Sequence, residues 1–189
     1  MNPLPQRWTL RFWLVLLAAL TAGGPLWSAE TAVSKEYQVK AVFLFNFAQF
    51  VTWPPAVFTS PDEPFRIGVL GDDPFDGFLD ETVSGEKVDG HPLVVQRYAS
   101  PEDVKDCRIL FISGSESSQM QSILSGLRDK SVLTVGDTEG FVKNGGIIRF
   151  AMESNKIHFR INLEAAKRAN LVISSQVLRL AEIVGPGED

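Results

Sequence analysis

Three groups of residues have the types and spacing that chemistry needs. The first is the loop GDDPFDG, where Asp72, Asp73 and Asp76 follow the apolar run Ile67 to Leu70. A strand that ends at a glycine and leads into a helix is how many nucleotide sites are built, but phosphate would compete with these carboxylates for the same amides. The glycines also lack the G-x-G-x-x-G spacing of a dinucleotide loop. Paired acids after a first strand can hold Mg²⁺, as in phospho-acceptor receiver domains. Those need a third Asp at another strand end and a Lys at a later one. Tyr98-Ala99-Ser100 and Ser113-Gly114-Ser115 supply no Asp, and Val135-Gly136-Asp137 supplies no Lys. The loop is left with helix capping: Asp73 as N-cap, Pro74 at the first helical position, and Asp72 and Asp76 near the positive helix end.

The second group is SGSESS, Ser113 to Ser118. It is not the G-x-S-x-G nucleophile elbow, and serines after a strand serve most often in turns and caps. A triad also needs a histidine. The chain has two: His91, expected in a Gly90-His91-Pro92 turn, and His158, expected on the polar face of a hairpin. Neither has a partner at useful spacing, and a two-histidine metal site lacks H-x-x-x-H or any cysteine pair. A hydrolase built on Ser115 or Ser117 is the weakest of the functions considered. The expectation is therefore no enzyme, no catalytic residue, no metal and no cofactor.

The third group is a pair of arginines. Gly145-Gly146 opens IIRFAMESNKIHFRIN, a hairpin pattern with a turn at Ser154-Asn155. Ile148, Phe150 and Met152 share one face of the first strand, and Ile157, Phe159 and Ile161 one face of the second. That register sets Arg149 opposite Arg160 and Ala151 opposite His158. Like charges directly across a sheet cost stability unless acids or water approach them. Either the pair is an exposed face neutralised by Glu153 or another acid of the chain, or it docks an acidic or carbonyl-rich partner, which the arginine fork suits. Arg149, His158, Arg160 and Asn162 alternate onto this face and are the candidate partner-binding residues.

The elements that must position these groups alternate along the chain. Residues 35 to 53 read as a helix, with Val39, Phe43, Phe47 and Phe50 at helical spacing, Leu44, Ala48 and Val51 widening the stripe, and Asn46, Gln49 and Thr52 as its polar line. Pro54 and Pro55 end it. So apolar a helix must be covered on most of its surface, by the domain's own core or by a second copy. Phe43, Phe47 and Phe50 are the dimer candidates. Strands follow at Phe65 to Leu70, Leu93 to Tyr98, Arg108 to Ser113 and Ser131 to Val135. Between and after them come helical stretches at 74 to 82, at the Ser100-Pro101-Glu102-Asp103 start, at Glu116 to Leu127 and near Thr138 to Val142. After the hairpin come Leu163 to Ala169, with Asn162 as cap, and Ser175 to Val184, capped by Ser174 or Ser175. The fold class is α/β: three layers, a largely parallel sheet flanked by helices, with a C-terminal β-hairpin.

Length and composition fit one such domain. The chain has 189 residues and a formal net charge of −5, which argues against non-specific binding to nucleic acid or to a membrane surface. Arg7 and Arg11 precede the short apolar run Phe12 to Leu20, and small residues follow. That is the layout of a secretory signal peptide, expected over residues 1–29, with a single domain over 30–189. An uncleaved anchor is the alternative. Cys107 is the only cysteine, so no disulfide can form within one chain. The expectation is a periplasmic protein with no membrane insertion after cleavage, and with a buried, inert thiol.

An ordered set of segments resembles a known family. KAVFLFNFAQFVTWP is similar to its aromatic-rich opening helix, and VLGDDPFDG to its first strand and turn. HPLVV, CRILFIS, SVLTVGDTEGFVKNGGIIRF and IHFRINLEAAKRANLVISSQVLRLA follow in the same order, together spanning about residues 36 to 183. The family is the YfiR family of periplasmic proteins. The resemblance implies a regulator that binds the periplasmic sensory domain of an inner-membrane signalling protein. That protein is a YfiN-type diguanylate cyclase, held inactive so that cyclic di-GMP and biofilm formation stay low, or a sensor kinase. It also implies a homodimer. Disulfide-based redox control, used by relatives with paired cysteines, is closed to a single subunit of this chain. A periplasmic small-ligand sensor or carrier is the competing function, with its ligand beyond the strand ends at Gly71-Asp72, Ser113-Gly114 and Gly136-Asp137.

Overall fold

In the computed structural model the described residues are 27–185, 187 and 188, with side chains described from Lys35 onward. The chain divides into two units, Met1–Val33 and Ser34–Asp189. The basic flank and apolar run expected to direct export lie outside the described residues. Among the described residues no helix is long and apolar enough to cross a membrane.

The second unit is built on an eight-stranded sheet. Helix α1 (Trp27–Phe50) leads into β1 (Val51–Thr52). The sheet strands are β2 (Phe65–Leu70), β3 (Lys87–Val88), β4 (His91–Tyr98), β5 (Cys107–Ile112), β6 (Leu133–Gly136), β7 (Ile148–Glu153), β8 (Lys156–Ile161) and β10 (Ala181–Ile183). The spatial order is β10-β8-β7-β6-β5-β2-β4-β3. The β2, β4, β5, β6 and β7 strands run parallel, and within this sheet antiparallel pairing is confined to β7–β8 and β3–β4. β1 pairs instead with β9 (Val172–Ile173) in a separate two-stranded ladder. The three-layer α/β architecture with a late hairpin is the one expected.

Both sheet faces are buried, each in its own way. On one face Ile67, Val69, Ile109, Phe111, Leu133, Val135, Phe150 and Phe159 meet Ala41, Leu44 and Phe47 of α1. Leu79 and Val83 of α2 (Phe78–Val83) and Ala165 and Ala166 of α4 (Leu163–Arg168) complete that layer. On the other face Leu70, Leu110 and Ile112 meet Met120, Ile123, Leu124 and Leu127 of α3 (Met120–Leu127). Burial on both sides explains why β5 reads as an unbroken apolar run rather than an alternating one.

Several local expectations are corrected. The helix expected over 74 to 82 starts at Phe78, because Asp76 and Gly77 both take positive φ and break the turn. Asp73 still accepts the amide of Phe75 at 2.8 Å, but as a turn, not as a helix cap. The stretch 116 to 127 opens with a 3₁₀ turn at Gly114–Glu116, and α3 begins only at Met120. Ser100 caps as expected, yet what it caps is a single 3₁₀ turn, Pro101–Asp103. Residues 138–145 form consecutive turns, not a helix. Val51 and Thr52 leave α1 to pair with β9. The last helix, α5, is only Ser175–Leu178, and the chain then extends as β10 beside β8. The expected turn at Gly90-His91-Pro92 sits earlier, at Asp89-Gly90, both with positive φ. His91 and Pro92 are already in β4, paired with Val88 and Lys87.

Candidate partner-binding site

The hairpin register is the expected one. Arg149 faces Arg160, Ala151 faces His158, and Ser154 and Asn155 carry the positive φ values of the turn. Positive φ at both central residues is what a two-residue hairpin of this twist needs. Phe150 and Phe159 point into the α1 layer, so Arg149 and Arg160 point the opposite way.

There an open cleft of about 390 Å³ is lined by Lys143, Arg149 and Arg160, with Glu139 and Glu153 at its sides. Arg160 is half-buried and bridges two carboxylates of the chain: Glu153 Oε1 lies 3.2 Å from its Nη2 and Glu182 Oε2 3.1 Å from its Nε. Glu153 closes the hairpin and Glu182 arrives on β10, which sets it opposite Arg160. The repulsion foreseen for two facing arginines is thus offset from within. His158 is exposed on the same strand. Asn162 does not join this surface. It is buried as the cap of α4, accepting the amide of Ala165 at 2.9 Å and donating to the carbonyl of Val142 at 3.3 Å.

The dimer candidates fall in two places. Phe47 is 1% exposed and stacks on Phe150, with Phe159 edge-on. Phe43 lies on its flank, 4.6 Å from the Phe159 ring centre, and is only partly covered, as is Phe50. The buried line of α1 centres on Leu44, so Val39, expected in the stripe, faces outward with Val42.

A buried polar network was not foreseen. Lys40 is 3% exposed yet carries a charge in the middle of an apolar helix. Its ammonium donates to Asp137 Oδ2 at 2.6 Å, lies 2.5 Å from Glu36 Oε1, and sits 4.2 Å over the ring of Tyr37. The Tyr37 hydroxyl donates to the same Asp137 oxygen at 2.8 Å, and burial together with that carboxylate raises its pKa well above the usual range. The signal was there: a lone lysine in KAVFLF, and an Asp just past a strand end. Spacing alone could not join residues 97 apart in sequence.

At the carboxyl ends of β2 and β5 two loops of the chain lie in contact. Strand order reverses between β2 and β5, where open α/β sheets bind ligands. Here the Asp72 amide donates to Ser115 Oγ at 3.0 Å. Gly71, at φ +85, lies against Ser115 and Glu116 so closely that a Cβ would collide with both. Ser115 also donates to Glu116 Oε1 at 3.3 Å. The acidic loop has a structural partner as well. Arg97 Nε donates to Asp73 Oδ2 at 2.9 Å, and its Nη1 to Asp80 Oδ1 at 2.6 Å. The Arg97 hydrogen bonds hold the Asp80 carboxyl below its usual range. Among the described residues no group of three His, Cys, Asp or Glu could hold a metal ion. Cys107 is buried, and desolvation pushes its thiol up to about 12.

His91 stacks on Phe58 at 3.9 Å, and its Nδ1 lies 2.7 Å from the Glu63 carbonyl oxygen. Arg108, buried at the bulged start of β5, lies over the same Phe58 ring and donates to Glu63 at 2.8 Å. These contacts pin the segment after β1 to the sheet.

The fold is that of an α/β domain with a largely parallel sheet and, on one face, an arginine pair partly neutralised by the chain's own glutamates. Its family is set by sequence: a match to the YfiR/HmsC-like family covers residues 37–182, and the chain belongs to that family. The family is one of periplasmic regulators of diguanylate cyclase signalling. Comparison with curated proteins finds no match. Among solved structures the chain is similar to the ABC domain from Streptococcus pneumonia in complex with L-Trp, at 12% identity and a TM-score of 0.51. That alignment covers 78% of this chain and 60% of the other. It is also similar to a conserved domain protein from Vibrio cholerae, at 14% identity and a TM-score of 0.48, covering 62% of this chain and 54% of the other. The chain thus spans less than two thirds of either structure, and at such identity the first likeness speaks to fold alone.

Proposed function

We propose that the mature domain, residues 30–189 after removal of a signal peptide over 1–29, binds the periplasmic sensory domain of an inner-membrane diguanylate cyclase and holds it inactive. Family membership supports the regulatory class. The observation that carries the docking surface is the facing pair Arg149 and Arg160 over an open cleft. The arginine fork accepts planar carboxylates and carbonyls, the groups an acidic sensory domain presents. His158 is exposed opposite Ala151, on the same sheet face as the arginines. Repression is then a population shift, since binding the inactive receptor tenfold better than the active one requires about 1.4 kcal/mol. A sensor kinase in place of the cyclase would be held by the same contacts. Self-association through Phe43 and Phe50 is compatible with this surface, since both lie on the α1 layer, across the sheet from the arginines.

The test is deletion with a cyclic di-GMP readout, complemented by wild type and by Arg160→Glu. Deletion should raise cyclic di-GMP, and wild type should lower it again. Arg160→Glu should fail to lower it while the purified variant melts as a folded domain. Unchanged cyclic di-GMP on deletion, with the cyclase present, would refute repression.

A further inference from the structure

We infer that the cleft beside the hairpin is a binding site for a small organic dicarboxylate, one that displaces Glu153 and Glu182 from Arg160. The site is built from three elements. Arg149 and Arg160 come from facing strands, Lys143 comes from the turns before β7, and an open volume of about 390 Å³ lies over them. Among the described residues the Arg160 guanidinium meets two carboxylates, Glu153 and Glu182, each from a different strand. Those partners are held loosely: Glu153 is 51% exposed and Glu182 63% exposed, against 24% for Arg160. Exposed ion pairs of this kind contribute little and exchange readily. A ligand with two carboxylates at short separation can take both positions at once and leave the two glutamates in water. A planar carboxylate matches the guanidinium fork better than a tetrahedral anion of the same charge such as sulfate. Because the same arginines are the proposed docking face, occupancy would also lower receptor affinity, and that consequence rests on the proposed function.

Malonate and sulfate are the probes, titrated calorimetrically into the full mature chain at constant ionic strength. Wild type should bind malonate saturably and at least fivefold more tightly than sulfate. The double variant Glu153→Gln/Glu182→Gln, freed of its internal competitors, should bind malonate at least threefold more tightly than wild type. Arg160→Lys keeps the charge and loses the fork, so it should weaken malonate at least fivefold. Arg160→Gln should abolish binding, with a cooperative melt showing that it folds. Absence of saturable malonate binding in both wild type and the double variant overturns the inference. So do equal affinities for malonate and sulfate, or an unchanged affinity in either the double variant or Arg160→Lys. A failed titration alongside an Arg160-dependent receptor complex would remove the ligand site and leave the regulatory role standing.

Discussion

Lys40 shows how much one side chain can decide. An ammonium 3% exposed inside an apolar layer is tolerable only because Asp137 and Glu36 meet it and the Tyr37 ring covers it. Removing one partner of a buried pair typically costs about 3–5 kcal/mol. Asp137→Ala should fall near the lower end, about 3 kcal/mol by urea denaturation, because Glu36 still holds the charge. Replacing Lys40 and Asp137 together with Met and Leu should cost less than either change alone. Asp80 offers a contrast. Its pKa is held down chiefly by the hydrogen bonds from Arg97, so the folded state releases that proton more readily than the unfolded chain does. The sign follows: this pair stabilises at neutral pH, and the contribution is lost as pH falls through the lowered folded value. With Asp80 about half exposed, Asp80→Asn should cost less than about 1 kcal/mol at pH 7 and nothing near pH 2. A flat stability profile below pH 4 in wild type, unaffected by the mutation, would contradict this. Neither site was legible from spacing, since both join residues far apart in the chain.

At the level of elements, strands were more legible than helices. The hairpin was readable to the residue because a period of two and a turn of two residues leave one register. Asn155 holds φ 62, and Asn155→Val, whose branched side chain resists that conformation, should destabilise by about 1–2 kcal/mol. Asn155→Gly should be close to neutral in the same thermal melt. Short helices were misplaced because their starts depend on left-handed residues such as Asp76 and Gly77, and composition does not announce φ. α1 was found, but a helix apolar on nearly every side hides which side is buried. The answer came from what it packs against: Phe43, Phe47, Phe150 and Phe159 form one aromatic group between α1 and the hairpin. Phe47→Ala should cost about 3–5 kcal/mol. Phe50→Ala, at a partly covered position, should cost clearly less. Because the same group backs the hairpin, Phe47→Ala should also loosen Arg149 and Arg160 on the far side.

The whole molecule brings these levels together. One sheet carries an aromatic layer on one side and the arginine cleft on the other, so core and cleft share β7 and β8 without sharing side chains. The family was legible because its segments recur in order along almost the entire domain. The contact of Gly71 and Asp72 with Ser115 and Glu116 was not, since it joins two loops that no single segment contains. Mass spectrometry of the protein recovered from the periplasm should give Glu30 as the first residue, and an intact Met1 would point to an anchored form instead.

Cys107 has a consequence at this scale as well. A single thiol, sealed at the start of β5, gives the chain nothing to oxidise on its way to maturity. Cells that lack their periplasmic thiol oxidase should therefore accumulate this protein at the normal level. Its thermal stability should likewise be the same in oxidising and in reducing buffer.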